Sequence, residues 1–329
     1  MKKKLFAVLM AAAMVFGMTA CGSGESADTT AETTGDEAQL EDFSIVLDWY
    51  PNAVHAFLYD AIEKGYFAEE GLNLVIQFPA NTNDGISLPA AGKADAGVYY
   101  MQDAIMTSCE ENVPIVSIGA VTQKSMNVVI SLKDSGITEA KDLAGKKIGY
   151  AGTVLSEAQI QAMLQNAGLT ADDCECIDVG FDLSALTTGQ VDATIGNMVN
   201  HEVPQMEEQG FEVNYFYPTD FGVPQGYELV FLANKDAVAE NPEKYQGFLR
   251  ACQKGFEDMK NNPDEVLQIL LDNQNEANFP LSENVERQSM EILLPDMETE
   301  SAPFLHQEVS VWQENADWMY EVGVLTKEA

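Results

Sequence analysis

Short apolar runs alternating with polar, helix-length segments set the pattern of this chain from residue 43 onward. Ile45-Val46-Leu47 reads as a buried parallel strand that Pro51 stops, and Asn52 can then cap a helix closed by Gly65. Leu72 to Phe78 alternates as a second strand. Asp84 and Ser87 can cap a helix that ends at Gly92, and Ala94 to Tyr100 returns as a third strand. Pro114 to Val121, Met126 to Leu132, Lys146 to Tyr150 and Tyr227 to Ala233 are further strand-like runs. After Tyr150, a Ser156/Gln159 capping box starts a helix that runs to Gly168. Towards the C-terminus the period becomes helical. Asn241-Pro242-Glu243 and Asn262-Pro263-Asp264 each start a helix with proline in its first position. Tyr245, Phe248, Leu249, Cys252, Phe256 and Met259 form an apolar stripe, and Trp312 to Tyr320 is a last helix closed by Gly323.

One internal echo organises these elements. Ala91-Gly92-Lys93-Ala94-Asp95-Ala96-Gly97 matches Thr188-Gly189-Gln190-Val191-Asp192-Ala193-Thr194: a helix end, a C-cap glycine, then a strand carrying Asp-Ala. The echo predicts an α/β chain of two similar βα lobes facing each other across a cleft, as in a hinged binding protein. Lobe I comprises 43–129 plus 229–329 and lobe II 130–228. The chain crosses between them near Val128-Ser131 and again near 226–231. Residues beyond each echo, Tyr99 to Asp103 and Asn197 to Glu202, face the same cleft, because ligands of open α/β sheets sit at the carboxyl ends of strands.

Charge and the N-terminus change the picture. Lys2, Lys3 and Lys4 precede an apolar stretch, Leu5 to Val15, too short for a membrane span. Met18-Thr19-Ala20-Cys21 resembles a bacterial lipobox. Residues 1–20 read as a lipoprotein signal peptide, and 21–42 as the lipidated Cys21 and an acidic disordered tether. With 17 basic against 53 acidic residues the chain carries a net charge of −36, which argues against nucleic acid. Cys109, Cys174, Cys176 and Cys252 have no redox or zinc spacing, and no basis for pairing them is evident. His55, His201 and His306 are scattered. No phosphate-binding loop, nucleophile elbow or dinucleotide fingerprint occurs, so neither a metal nor a cofactor is expected.

Leu47-Asp48-Trp49-Tyr50-Pro51-Asn52, Glu63-Lys64-Gly65-Tyr66-Phe67, Glu70-Gly71-Leu72, Gly92 to Gly97, Leu143 to Tyr150 and Gly189 to Ala193 together resemble the thiamine pyrimidine synthase-like family over about residues 44–260. The Gly-Lys-x-Asp and Leu-x-Gly-Lys pieces are shared by many solute-binding proteins; Asp-Trp-Tyr-Pro-Asn is the more specific. The family contains extracytoplasmic binding lipoproteins of ABC importers for thiamine pyrimidine precursors, and also the fungal pyrimidine synthase. The resemblance implies a periplasmic-binding-protein-like fold of type II and an aminopyrimidine ligand.

A flat aminopyrimidine needs aromatic faces, an acceptor for its exocyclic amine and donors to its ring nitrogens. Trp49, Tyr99 or Tyr100, and Tyr227 are the stacking candidates. Glu202, then Asp48, are the acceptors, and Asn52, Asn200 and His55 the donors. Bland roles stay open: Trp49 or one of the two tyrosines as core, Asn52 as a cap, Glu202 as a helix-start carboxylate.

The resemblance also tests the rival class, an enzyme. Tyr99 and Asp103 stand where the synthase has its lysine and histidine, and Phe221 to Tyr227 contains no cysteine. The reading is therefore a monomeric, non-enzymatic solute-binding protein. It sits lipid-anchored on the outer face of a bacterial cell membrane and presents a thiamine-type pyrimidine to ABC permease subunits. The alternatives are another flat heterocycle such as riboflavin, or a sulfonate or nitrate-type anion. The anions are disfavoured by the two arginines, Arg250 and Arg287, both lying in C-terminal helices.

Overall fold

The computed structural model describes residues 40–180, 183–274 and 279–328; the expected signal peptide and Cys21 lie outside them. The last two residues assigned to the tether, Glu41 and Asp42, instead begin the first strand.

The first lobe opens with β1 (Glu41–Val46), a 3₁₀ turn over Ala53–His55, α1 (Ala56–Glu63) and α2 (Tyr66–Glu69). It continues through β2 (Leu72–Gln77), α3 (Asp84–Ala90), β3 (Ala96–Tyr100), α4 (Met101–Glu111) and β4 (Ile115–Ala120). The chain then builds a second lobe from β5 (Asn127–Leu132), β6 (Lys147–Tyr150), α5 (Val154–Asn166), β7 (Glu175–Asp178), α6 (Ser184–Thr187), β8 (Ala193–Met198), α7 (Glu202–Glu208) and β9 (Val213–Phe216). It returns through β10 (Leu229–Asn234) and ends in α8 (Lys235–Glu240), α9 (Pro242–Asn261), α10 (Pro263–Asp272), α11 (Glu283–Met297) and α12 (Val309–Glu321).

The two sheets have the same plan, β2-β1-β3-β10-β4 and β7-β6-β8-β5-β9. In each, three strands run parallel and the fourth inserts antiparallel. The sequence echo falls on the middle strands, β3 and β8, and its aspartates do equivalent work. Asp95 Oδ2 accepts from the Ser44 amide at 2.7 Å, and Asp192 Oδ2 from the Lys147 amide at 2.8 Å. Each carboxylate thus fastens the incoming strand beside the start of its own.

The first crossing differs from its expected position, and the second begins earlier than expected. Val128 to Ser131 lies wholly inside the second sheet, so the first crossing is the segment between Ala120 and Asn127; the second lies between Phe216 and Leu229. The residues expected to form the hinge are strand formers, and β-propensity does not reveal which sheet a strand joins. The helix after β6 is capped by Thr153, whose hydroxyl accepts from the Ser156 amide at 3.1 Å, one turn before the expected box. Asp84 caps nothing downstream. It folds the preceding loop by accepting from the Ala80 and Asn81 amides at 2.8 and 2.9 Å.

Apolar residues pack α1, α9 and α10 on one face of the first sheet, through Phe43, Phe57, Phe231, Phe248 and Phe256. Ile86, Met101, Ile105, Val230, Leu232 and Met319 fill the other face beneath α3, α4 and α12. Two glycines allow α3 to lie directly on β3. A Cβ at Gly97 would sit 2.0 Å from the Gly85 carbonyl oxygen, and one at Gly85 would sit 2.4 Å from that of Val98.

Candidate functional site

The carboxyl ends of both sheets enclose a cavity of about 610 Å³, a size suited to a small ligand. Its walls come from the segment after β1, the β3–α4 junction, both crossings, the start of α5 and the β8–α7 turn. Asp48, Trp49, Asn52, Tyr99, Tyr100, Asn200, Glu202 and Tyr227 all line it, and His55 stands behind the wall.

Each residue reaches the cavity for a local reason. Asn52 ends the extended segment and caps the 3₁₀ turn: its Oδ1 accepts from the Val54 amide at 3.0 Å, and its Nδ2 donates to the Tyr50 carbonyl at 3.3 Å. His55, 1% exposed, cannot serve as the expected ligand donor. Its Nδ1 accepts from the Asn52 amide, which leaves the proton on Nε2 to donate to Asp48 Oδ1 at 2.8 Å. The histidine therefore orients Asp48. Trp49 is 50% exposed and meets Tyr50 edge-on, while Tyr50 stacks on Phe279, away from the expected set.

Tyr99 and Tyr100 occupy opposite faces of β3, as strand alternation requires, Tyr99 against the α3–α4 cluster and Tyr100 against the larger core. Both still border the cavity because they sit at the end of the strand. Tyr99 donates its hydroxyl to the Thr82 carbonyl. Tyr227 is largely core: its hydroxyl accepts from the Glu308 amide at 2.8 Å.

Glu202 has local work as well. Its Oε2 accepts from the Met198 amide at 2.7 Å, and its Oε1 lies 3.1 Å from His201 Nδ1. Burial disfavours charge on that imidazole, but the Glu202 and Glu286 carboxylates outweigh it and raise the pKa. Asn200 donates to Ser289 Oγ of α11 at 2.9 Å and so joins the second lobe to the C-terminal helices.

Sequence reasoning missed Glu228. It lies on the second crossing, and its Oε2 gathers Ser125 Oγ and the Met126 and Asn127 amides of the first at 2.8, 2.8 and 3.1 Å. A lone acid inside Gly226-Tyr227-Glu228-Leu229-Val230 was the available signal. Burial raises the pKa of this carboxyl, and those donors oppose the rise. Also missed was a chain of side-chain amides. Gln102 of α4 donates to Asn315 of α12 and accepts from Gln159 of α5, which in turn accepts from Asn127, at 2.9, 3.0 and 3.1 Å. The lobes therefore meet directly across the cleft. Among the described residues no Lys or Arg lines the cavity, and no group of His, Cys, Asp and Glu is arranged to hold a metal ion.

Two α/β lobes of equivalent topology, linked by two crossings around a shared cleft, define the periplasmic-binding-protein fold. The aliphatic sulphonate binding protein SsuA of Escherichia coli superimposes with a TM-score of 0.68 at 17% identity, over 88% of this chain and 95% of that one. The alkanesulfonate-binding protein of Xanthomonas axonopodis pv. citri gives 0.64 at 12% identity, over 88% and 96%. Within that fold the chain belongs to the NMT1/THI5-like family, whose model matches residues 52–266. It is 42% identical to the formylaminopyrimidine-binding protein of Halalkalibacterium halodurans, over 89% of both chains. It is 28% identical to the 4-amino-5-hydroxymethyl-2-methylpyrimidine phosphate synthase of Aspergillus parasiticus, over 78% of both.

Proposed function

We propose that this protein is the extracytoplasmic solute-binding component of an ABC importer and that it captures a thiamine-precursor aminopyrimidine of the formylaminopyrimidine type. The observation that carries the reading is the 42% identity, over 89% of both chains, to a formylaminopyrimidine-binding protein. The cleft is chemically consistent with it: aromatic surface at Trp49, Tyr99 and Tyr100, carboxylate acceptors at Asp48 and Glu202, and the amide of Asn200. Asp48, held by His55, and Glu202 compete as the acceptor for the exocyclic amine, with Trp49 as the exposed stacking face.

The reading includes absence of turnover. Tyr99 and Asp103, at the positions where the synthase has its lysine and histidine, offer no amine and no imidazole to the cleft. It also includes acylation at Cys21, which would tether the monomer beside its permease. Mass spectrometry of the mature N-terminus tests that point.

The deciding experiment is thermal unfolding with a panel of aminopyrimidines, riboflavin and alkanesulfonates. A cognate ligand at 100 times its Kd should add about 2.7 kcal/mol of stability. Stabilisation by a sulfonate or flavin, with none by any aminopyrimidine, would overturn the assignment.

A further inference from the structure

Four carboxylates reach the cavity from four separate segments: Asp48 after β1, Asp103 in the first turn of α4, Glu202 at the start of α7 and Glu228 before β10. No Lys or Arg among the described residues lines the same walls. Closing such a site over a neutral solute would strip water from several like charges, leaving any carboxylate without a partner of its own uncompensated.

Three of the four already have external partners. Asp48 takes the proton-bearing nitrogen of His55, Glu202 takes the Met198 amide and His201, and Glu228 takes three donors of the first crossing. Among the described residues, Asp103 is engaged only by its own backbone amide. The titratable groups around it are Tyr99 and Tyr100 of β3, Tyr227 and Glu228 of the second crossing, Asp48 after β1, and His201 and Glu202 across the cleft. Burial first, and the Glu228 charge second, push the Asp103 carboxyl up to about 6.

We propose that the cleft binds its aminopyrimidine as a cation, with Asp103 as the carboxylate that pairs with the protonated ring nitrogen. This rests on the aminopyrimidine reading above and specifies the form of the ligand. In a 4-aminopyrimidine the exocyclic lone pair is delocalised into the ring, so the ring nitrogen opposite the amine is the basic atom. Protonation there converts an acceptor into a charged donor, the partner that a bare carboxylate needs. No bond to carbon is made or broken. One proton from solvent becomes shared between the ring nitrogen and Asp103, and the complex holds one proton more than its deprotonated components.

The test is calorimetry on the full chain with 4-amino-5-hydroxymethyl-2-methylpyrimidine and formylaminopyrimidine, in buffers of different ionisation enthalpy at about pH 8. Uptake of close to one proton is expected, with Kd weakening about tenfold per pH unit above neutrality and the bound ligand showing the absorption spectrum of its acid form. Asp103→Asn, with folding verified by its melting curve, should abolish the uptake and weaken binding at neutral pH by about tenfold or more. Asp103→Glu should keep the uptake, as should Glu202→Gln. Tight binding without proton uptake, or full uptake in Asp103→Asn, overturns the proposal. Failure of every aminopyrimidine to bind at any pH would reject the functional assignment, and this inference with it.

Discussion

Glu228 shows how much a single carboxylate can hold in this molecule. Its Oε2 ties three donors of the first crossing to the second. Removing it leaves two backbone amides and a hydroxyl to find water in a narrow space. Glu228→Ala should cost about 2–4 kcal/mol, seen as a Tm lower by roughly 5–10 °C, and Glu228→Gln distinctly less. An unchanged Tm in the alanine variant would mean that the crossings are held by packing alone. For Glu202 the local bonds divide the expected effect. Glu202→Ala should weaken aminopyrimidine binding about ten- to a hundredfold, whereas Glu202→Gln keeps an acceptor and loses less. Trp49→Ala should weaken binding comparably and Trp49→Phe mildly, since stacking needs only a face. Calorimetry on folded variants separates these outcomes. If Glu202→Ala binds as tightly as the parent, its carboxylate serves α7 alone and Asp48 becomes the acceptor.

At the scale of elements, much of the fold could be read from periodicity because the helices and strands have strong local signals. Pro242 and Pro263 start α9 and α10 as expected, and the stripe from Tyr245 to Met259 is buried apart from the half-buried Leu249. The Asp95 and Asp192 echo was visible too, although its meaning, a carboxylate fastening a neighbouring strand, needed the pairing. Candidate site residues after β1 and β3 were legible because strand ends point at clefts. Glu228, Gln102 and Gln159 were not, because their partners lie far away in sequence and on the other lobe or crossing. Backbone contact was equally hidden. Gly97→Ala should push α3 off β3 at the cost of about 1–3 kcal/mol or more, and a parent-like melting curve would refute that.

The contact between α1 and α9 supplies a pH test. Asp60 is fully buried on α1, with Asp258 on α9 and Lys64 and Glu265 nearby; burial first, then the Asp258 charge, push its carboxyl from 3.8 up to about 7. The folded state thus holds this proton where the unfolded chain has released it. Stability contributed here falls as pH rises between those two values and stays lost above them. Asp60→Asn should therefore be more stable than the parent at about pH 8, with the gap closing towards pH 4. Equal pH profiles in denaturant melts would exclude an ionisable Asp60 as the cause.

Across the whole molecule, charge predicts a selectivity that can be measured. With a net charge of −36 and carboxylates lining the cleft, a phosphate ester of the pyrimidine meets repulsion outside and inside. It should bind at least about a hundredfold more weakly than the free alcohol, and competition calorimetry would reveal any parity between them. The Gln102–Gln159 bond couples that cleft to lobe position. Gln159→Leu should shift small-angle scattering towards a larger radius, and cognate ligand should restore compaction.

The order in which strands enter each sheet has a further consequence, for how the chain acquires its shape in time. All five strands of the second sheet come from one uninterrupted stretch, Asn127 to Phe216. The first sheet cannot be finished that way, because β4 joins it solely through β10, which follows the whole of the second lobe. A chain emerging from its N-terminus therefore presents β1, β2 and β3 early but must leave β4 unpaired until about a hundred residues more have appeared. The second lobe is free to fold first and to bring β10 back beside β3 as it does so. Pulse-labelled hydrogen exchange should find β5, β6 and β8 protected before β4. The first lobe therefore keeps an open sheet until β10 has emerged, by which point the whole of the second lobe is already available to fold.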